Sequence, residues 1–477
     1  MSYILLNKDK VIATFELEIS DLQISSTLSC SEPELMPMGF TTIEAWIENR
    51  KAHKHNAHLK ELMEMCGCAT TEGFIRVTHA ASINDTFWIK QEDEAIEWKD
   101  VSFYTNEFDE NVSKMAFEGL GLYGEKFSST SPEFSTEGSF KKCWRREDNV
   151  IYLYKRGTDG ASNAGLEPYC EMLASEVAEK ICTDSVKYDL TRLHKQLASR
   201  CRLFTDEKYG YVPYRRISSK SQPQDILSFY QKYNSEQQAR EMIVLDALTF
   251  NVDRHLGNHG VIIDNDTNEI VKMAPVFDFN LAMLPYTVEE DFCDIGKKML
   301  DYGPRIGSDF TRIGQAVLNT ELRTKLINMK GFKFTFRGNS TFTHKRVELL
   351  EDMLHMQLDA ILSKETLYTK DVFVPRKQEE IESYKKKMDT ALLDRVHEIK
   401  AAMSNEEKYS HIEQIDEDDT IQLYFYVKGY FDTAFIVDVK TGETYIEIEG
   451  NRCSDGECEE AITREYEGFC EKLNECK

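Results

Sequence analysis

Three polar residues that follow a long helical pattern have the types and spacing that phosphoryl transfer requires. Asp253 and Asn258 are separated by four residues in the segment NVDRHLGNHG, and Asp278 follows twenty residues after Asn258. A carboxylate beside an attacking hydroxyl orients it and accepts its proton. Amide and carboxylate oxygens are the ligands that Mg²⁺ prefers. The spacing therefore predicts Asp253 as a catalytic base and Asn258 and Asp278 as magnesium ligands.

A lysine and two glutamates upstream fit the other half of such a site. Lys155 lies near the end of a β-branched and aromatic run (NVIYLYKR), and Glu167 and Glu171 open the helical pattern that follows. A lysine on a strand is suited to contact the phosphates of ATP, and a glutamate on the next helix is suited to hold that lysine. Either glutamate fits this role. The Gly-, Ser- and Thr-rich stretch 119–139 precedes the strand and is a linker or a phosphate-covering loop.

The motifs around these residues resemble those of a known family. Asn-x-Asp-Arg-His-x-x-Asn-x-Gly at 251–260, followed by Ala-Pro-x-x-Asp at 274–278, is similar to the HipA-like serine/threonine kinases, relatives of the toxins in bacterial toxin–antitoxin pairs. The stretch EPYCEMLASE at 167–176 also resembles the helix after their nucleotide-binding lysine. The resemblance spans residues 120–365. It implies a protein-kinase-like fold, Mg-ATP as phosphate donor, and a protein Ser or Thr hydroxyl as acceptor.

The resemblance also implies roles for single residues. It repeats the assignments of Asp253, Asn258, Asp278 and Lys155, and it matches His255 to a histidine of the family's loop. Together with the residue order, it predicts the adenine near the backbone of Leu203, Phe204 and Thr205. The full set of residues that we predict at the nucleotide is Ser139, Lys155, Glu167, Glu171, Leu203, Phe204 and Thr205. Family members can be regulated by autophosphorylation in the region before the lysine, which makes Ser135, Thr136 and Ser139 candidates. The sequence departs from a Gly-x-Gly-x-x-Gly cover, because 134–139 (FSTEGS) has one glycine.

The order of local patterns predicts an α+β protein with a two-lobed protein-kinase-like core. We expect four regions: an N-terminal α/β unit at 1–115, a nucleotide-binding N-lobe at 116–216, a mainly helical C-lobe at 217–403 and a β-rich module at 404–477. Within them, the patterns predict helices at 42–66, 167–181 and 236–250. They predict strands at 3–6, 11–17, 186–190, 202–205, 261–263, 270–273, 420–427, 434–439 and 444–449.

Charge and composition restrict the partners. The net charge of −25 and the pI near 5.0 oppose binding to nucleic acid or to an anionic membrane. Contact with DNA would then need a DNA-binding, antitoxin-like partner. The start has no signal-peptide pattern, no run of 18 apolar residues occurs, and the twelve cysteines are scattered. These features predict a cytoplasmic protein with reduced thiols.

Two other functions remain open at this stage. Phosphatidylinositol kinases share an Asp-Arg-His-x-x-Asn loop, so a lipid or small-molecule phosphotransferase on the same fold is one alternative. A nucleotide-binding module without catalysis is the other. The charge opposes the lipid substrate, and the joint presence of Lys155, Asp253, Asn258 and Asp278 opposes the non-catalytic module.

Overall fold

The computed structural model divides the chain into two compact units, Met1–Val372 and Phe373–Lys477. Both combine helices with antiparallel sheets, which confirms a mixed α/β class. None of the described helices combines the length with the apolar character that a bilayer crossing requires. The structure describes residues 2–20, 23–40, 42–51, 62–119, 131–138, 140–159, 164–289, 292, 303–335, 342–363, 395–396, 398–400, 403, 408–417, 420–427, 433–439, 443–448, 451–453 and 460–475.

The first sheet has the order β3-β2-β1-β4. Its strands are β1 (Ser2–Asn7), β2 (Lys10–Ser20), β3 (Gln23–Cys30) and β4 (Phe87–Gln91). The strands β1 and β2 confirm the predicted opening hairpin. This sheet is accompanied by the helices α1 (Ile43–Arg50), α2 (Thr71–Thr78), α3 (Trp98–Val101) and α4 (Glu110–Glu118). The buried side chains of Phe15, Trp46, Phe74 and Phe134 share one apolar core, so the sheet and the segment after residue 130 pack together.

The single helix predicted over 42–66 is wrong. Helix α1 ends at Arg50, because Lys51 leaves the helical region with φ −68° and ψ 136°. Residues 52–61 of that prediction lie outside the described residues.

The second sheet carries Lys155 and has the order β5-β6-β8-β7. Its strands are β5 (Lys142–Glu147), β6 (Val150–Arg156), β7 (Tyr188–Leu193) and β8 (Gln196–Arg202), and helix α5 (Glu167–Ile181) follows β6. Asp148 and Asn149 join β5 to β6 with positive φ at both positions, the geometry of a tight two-residue hairpin. The strand predicted at 202–205 is wrong, because β8 ends at Arg202 and residues 203–205 follow it as a linker.

The third sheet, β9 (Tyr209–Pro213), β10 (Gly260–Asp264) and β11 (Ile270–Met273), has the order β11-β10-β9 and confirms the predicted β10–β11 hairpin. Beside it lie the helices α6 (Pro223–Gln231), α7 (Glu236–Thr249), α8 (Phe310–Val317), α9 (Thr320–Asn328) and α10 (His344–Leu362). Helix α7 is buried along most of its length. It ends where Phe250 takes a left-handed conformation, and the chain turns into the segment with Asp253.

The second unit contains a five-stranded antiparallel sheet and a helix that follows it. Its elements are β12 (Tyr409–Glu417), β13 (Thr420–Val427), β14 (Thr433–Asp438), β15 (Thr444–Ile448), β16 (Asn451–Cys453) and α11 (Glu460–Glu475). Strands β13, β14 and β15 confirm the predicted three strands, and β12 and β16 extend them at the two edges. Val396, Ile399 and Met403 join the core of this unit. The predicted boundaries at 115/116, 216/217 and 403/404 stay predictions.

Candidate active site

Lys155 is the centre of a buried ionic cluster. Its Nζ lies 2.7 Å from Oε1 of Glu171 on α5 and 2.6 Å from Oδ1 of Asp278, which follows β11. Burial opposes the charge of Lys155, but the two carboxylates more than offset this and raise its pKa well above the usual value. The structure thus brings Lys155 and Asp278, 123 residues apart in sequence, into direct contact.

Glu171, and not Glu167, is the partner of this lysine. Glu171 is fully buried, and its carboxylate also accepts hydrogen bonds from the Ser199 hydroxyl at 2.5 Å and the main-chain N–H of Phe279 at 3.3 Å. Oε1 of Glu167 instead accepts from the main-chain N–H of Thr158 at 3.1 Å and from the Tyr286 hydroxyl at 2.8 Å. Of the two glutamates that the sequence left open, Glu171 therefore forms the ion pair with Lys155, and Glu167 binds the main chain at Thr158.

Asp278 has a backbone conformation that side chains other than glycine adopt rarely. Its φ is +63°, and its main-chain N–H donates to the Tyr188 hydroxyl over 3.1 Å. Burial raises the pKa of its carboxyl, but the charge and hydrogen bond of Lys155 outweigh burial and lower the pKa below the ordinary value. Non-glycine residues in a left-handed conformation are typical of functional sites, where the surrounding packing fixes the unfavourable conformation. The carboxylate is ionised and fixed next to Lys155.

The loop with Asp253 and Asn258 is organised by its own amides. Nδ2 of Asn258 donates to the main-chain oxygen of Asp253 over 2.8 Å, so Oδ1 is the atom of that amide suited to bind a metal. Asn251 accepts from the main-chain N–H of Asp253 at 3.1 Å and donates to the main-chain oxygen of Asp278 at 3.4 Å. One amide therefore ties the predicted base to the predicted metal ligand.

The Asp253 carboxyl lies in an environment that favours proton uptake. Burial raises its pKa, a protonated His255 opposes the rise, and the Asp278 charge adds to it. His255 is exposed, and its Nδ1 accepts from the main-chain N–H of Gly257 over 3.0 Å. This hydrogen bond gives His255 a part in shaping the loop.

Sequence reasoning missed the buried ion pair beneath this loop. Nε and Nη2 of Arg254 lie 2.9 Å and 3.1 Å from the carboxylate oxygens of Asp246 on α7. Nη1 of Arg254 donates to the main-chain oxygens of Asn258 at 2.6 Å and Phe277 at 2.5 Å. Arg254 thus links Asn258, a predicted magnesium ligand, to Phe277, which directly precedes the other predicted ligand, Asp278. The Asp-Arg-His motif contained Arg254, but nothing in the sequence indicated that Asp246 was its partner.

Residues Leu203–Thr205, which the sequence predicts at the adenine, form a linker after β8. The Leu203 main-chain N–H donates to the main-chain oxygen of Ile151 over 2.9 Å. The Thr205 hydroxyl donates to the main-chain oxygen of Ile83 over 2.7 Å. Within the described part of the chain, the main-chain N–H groups of Phe204 and Thr205 have no hydrogen-bond partner. The Phe204 ring centroid is 5.5 Å from that of Phe277, beside Asp278. The linker can therefore offer main-chain donors and an aromatic wall to a flat ring.

The segment 131–138 precedes β5 and lies in the region predicted as a linker or phosphate-covering loop. Ser135 and Thr136 turn their hydroxyls inward, and Thr136 donates to the main-chain oxygen of Pro132 over 2.7 Å and accepts from Nε1 of Trp144 over 2.8 Å. The Glu137 carboxylate pairs with Arg215 and lies 3.9 Å from Arg216. Ser139, predicted to contact the nucleotide, lies outside the described residues. The described part of this predicted loop is a packed segment.

The donor set fits one magnesium ion shared with phosphates. Asn258 and Asp278 supply an amide oxygen and a carboxylate, and Mg²⁺ commonly takes one or two protein ligands and completes its shell with phosphate and water. Among the described residues, no group of three or more His, Cys, Asp or Glu side chains is placed to hold a metal by itself.

Comparison with known proteins gives structural likeness to kinases at low similarity. No protein-family model and no curated protein matches the sequence. The Helicobacter pylori proinflammatory kinase CtkA is 14% identical with a TM-score of 0.37, over 47% of this chain and 91% of that chain. HipA of Shewanella oneidensis MR-1, solved in a toxin–antitoxin complex with HipB and operator DNA, is 11% identical with a TM-score of 0.44, over 76% of this chain and 100% of that chain. At this level of likeness, side-chain geometry decides what the site can do.

Proposed function

We propose that the chain is a Mg-ATP-dependent protein serine/threonine kinase. One observation carries the proposal: Lys155 on a strand contacts both a buried glutamate of the following helix and Asp278, which a single amide ties to the Asp253 loop. Phosphoryl transfer depends on positioning and charge stabilisation more than on covalent chemistry. A lysine, a metal-binding pair and a base held in one rigid network supply both.

Each residue then has a distinct task. Lys155 contacts the nucleotide phosphates, and Glu171 holds it in place. Asn258 and Asp278 hold magnesium, which when bound neutralises developing charge on the phosphates. Asp253 orients the acceptor hydroxyl and takes its proton, for which a raised pKa is favourable. The linker 203–205 holds the adenine through main-chain groups.

Several finer features belong to the same proposal. The second sheet with α5 would be the N-lobe, and the third sheet with α6–α10 would be the C-lobe. We propose a protein acceptor over a lipid, because a net charge of −25 repels anionic membranes. For the same reason, any association with DNA would pass through an antitoxin-like DNA-binding partner. Phosphorylation of Ser135 or Thr136 would require the packed segment 131–138 to leave, since both hydroxyls are turned inward.

Nucleotide-induced stabilisation tests the first step of this function. At a Mg-ATP concentration one hundred times the dissociation constant, binding should stabilise the native chain by about 2.7 kcal/mol. Asp278→Asn should lose most of this stabilisation, because the carboxylate next to Lys155 disappears. Asp266→Asn is the matched control, since Asp266 is exposed and lies in a distant turn. No stabilisation of the native chain by Mg-ATP would refute the proposed function.

The class of acceptor needs a second measurement. The chain should be incubated with γ-labelled Mg-ATP and separate protein, lipid and small-molecule acceptor pools. Label in protein, on serine or threonine after hydrolysis, is the expected result. Label in lipid or in a small molecule would replace the protein kinase by another phosphotransferase. Nucleotide binding without transfer to any pool would leave a binding module.

A further inference from the structure

A second lysine lies directly opposite Lys155. In the register of β5 and β6, Lys142 is the cross-strand partner of Lys155. Directly opposite residues in antiparallel strands place their side chains on the same face, a few ångströms apart. Like charges in such a pair are destabilising. The sheet therefore carries a local cost at the position where the nucleotide phosphates are proposed to bind.

The charge of Lys142 is poorly compensated. Glu171 and Asp278 make their ion pairs with Lys155, and Glu137 directs its carboxylate to Arg215. In the part of the chain that the structure describes, Lys142 has no carboxylate partner, and its Nζ donates to the main-chain oxygen of Glu137. Desolvation and the nearby charge of Lys155 lower the pKa of Lys142 to about 8. An anion at this position would relieve both effects.

The backbone above Lys142 is shaped to let it approach. Gly138 has φ +102°, and a Cβ added there would lie 2.4 Å from Nζ of Lys142. Any other residue would strain the backbone at this positive φ, and the Lys142 amine would have to move from its present position. The main-chain oxygen of Glu137 accepts a hydrogen bond from the Lys142 amine. The carboxylate of the same residue is held by Arg215. The Glu137 oxygen therefore occupies the kind of position in which a phosphate oxygen would accept the same hydrogen bond.

We propose that Lys142 is a second phosphate-binding residue, whose ammonium contacts the phosphate tail of the nucleotide in place of the Glu137 main-chain oxygen. The proposal rests on the proposed nucleotide-dependent function and extends it. Lys155 would hold the phosphates from β6, and Lys142 would hold them from β5. Two cations on adjacent strands would then offset the phosphate charge that the carboxylates Glu171 and Asp278 repel.

Nucleotide binding by lysine variants of the full chain tests this assignment. The dissociation constants of Mg-ATP and of adenosine should be measured by calorimetry for the native chain, Lys142→Met, Lys142→Arg and Lys141→Met. Loss of one charged hydrogen bond should weaken Mg-ATP binding by Lys142→Met about 10- to 100-fold. Adenosine binding should change less than about twofold, because adenosine has no phosphate. Lys142→Arg keeps the charge and should recover most of the affinity.

Lys141→Met is the matched control, because Lys141 is the neighbouring lysine and pairs with Asp159 at 3.0 Å instead. It should bind Mg-ATP like the native chain. Native-like Mg-ATP affinity in Lys142→Met, or an equal loss for adenosine, overturns the assignment of Lys142 alone. Absence of Mg-ATP binding by the native chain overturns the proposed function and this assignment with it. The two failures are therefore distinguishable in one set of titrations.

Discussion

Replacing Asp246 with asparagine should destabilise the first unit by about 3–5 kcal/mol, because it leaves a buried guanidinium without its counter-charge. Asp246 and Arg254 are 7% and 1% exposed at their side chains, and the two carboxylate contacts measure 2.9 Å and 3.1 Å. The asparagine keeps the shape of the aspartate but not its charge. Arg254 also holds the main-chain oxygens of Asn258 and Phe277, so Mg-ATP binding should weaken as well.

Urea unfolding followed by tryptophan fluorescence measures this effect. The four tryptophans, Trp46, Trp88, Trp98 and Trp144, all lie in the first unit, so the signal reports on that unit. Asp266→Asn is the control, since its 2.6 Å pair with Lys8 is at the surface and such pairs contribute below about 1 kcal/mol. Losses that agree within about 0.5 kcal/mol for the two variants would refute a special role for the buried pair.

Two further predictions concern single carboxyls. Burial raises the pKa of Glu133 to about 7, above its unfolded value, so its contribution to stability is full below the unfolded pKa and is lost as pH rises through about 7. Glu133→Gln should therefore raise the thermal midpoint relative to the native chain at pH 8 and much less at pH 5; an equal shift at both values would contradict this. Glu171→Gln should lower phosphoryl transfer about tenfold or more and by more than Glu167→Gln, because Glu171 holds Lys155. Initial-rate assays at saturating Mg-ATP compare the two, and equal losses would contradict the distinction.

The residues of the candidate loop were accessible from sequence because they are close together in the chain. Asp253 and Asn258 lie in one turn, and the strongly patterned helix α7 and hairpin β10–β11 bracket them. Those patterns also placed Asp278 after a strand. The choice between Glu167 and Glu171 depended on the direction of side chains at the start of α5, which a sequence pattern cannot resolve at four residues' separation.

The missed residues depend on register and on long-range pairing. Lys141 and Lys142 are neighbours, and a register change of one residue exchanges which of them lies opposite Lys155. Nothing local distinguishes the two. Asp246 lies within a helix that is buried along most of its length, where an aspartate is explained by its partners Arg254 and Asn251.

Local propensity also failed at two element boundaries. The helix predicted over 42–66 has apolar residues at helical spacing, but Lys51 breaks it in an extended conformation. The strand predicted at 202–205 follows the actual strand β8, whose polar sequence QLASRCR gave little signal. Pairing with β6 and β7 stabilises β8, and pairing is a tertiary property.

Transfer of the γ-phosphate of Mg-ATP to protein, compared between the native chain and Asp253→Asn, tests the central claim most directly. The proposed base should accelerate phosphoryl transfer about 10²- to 10⁴-fold. We therefore expect label on serine or threonine with the native chain and a loss of at least about a hundredfold with Asp253→Asn, while Mg-ATP binding persists. Equal labelling by the two proteins, or no consumption of bound Mg-ATP by the native chain, would contradict the claim.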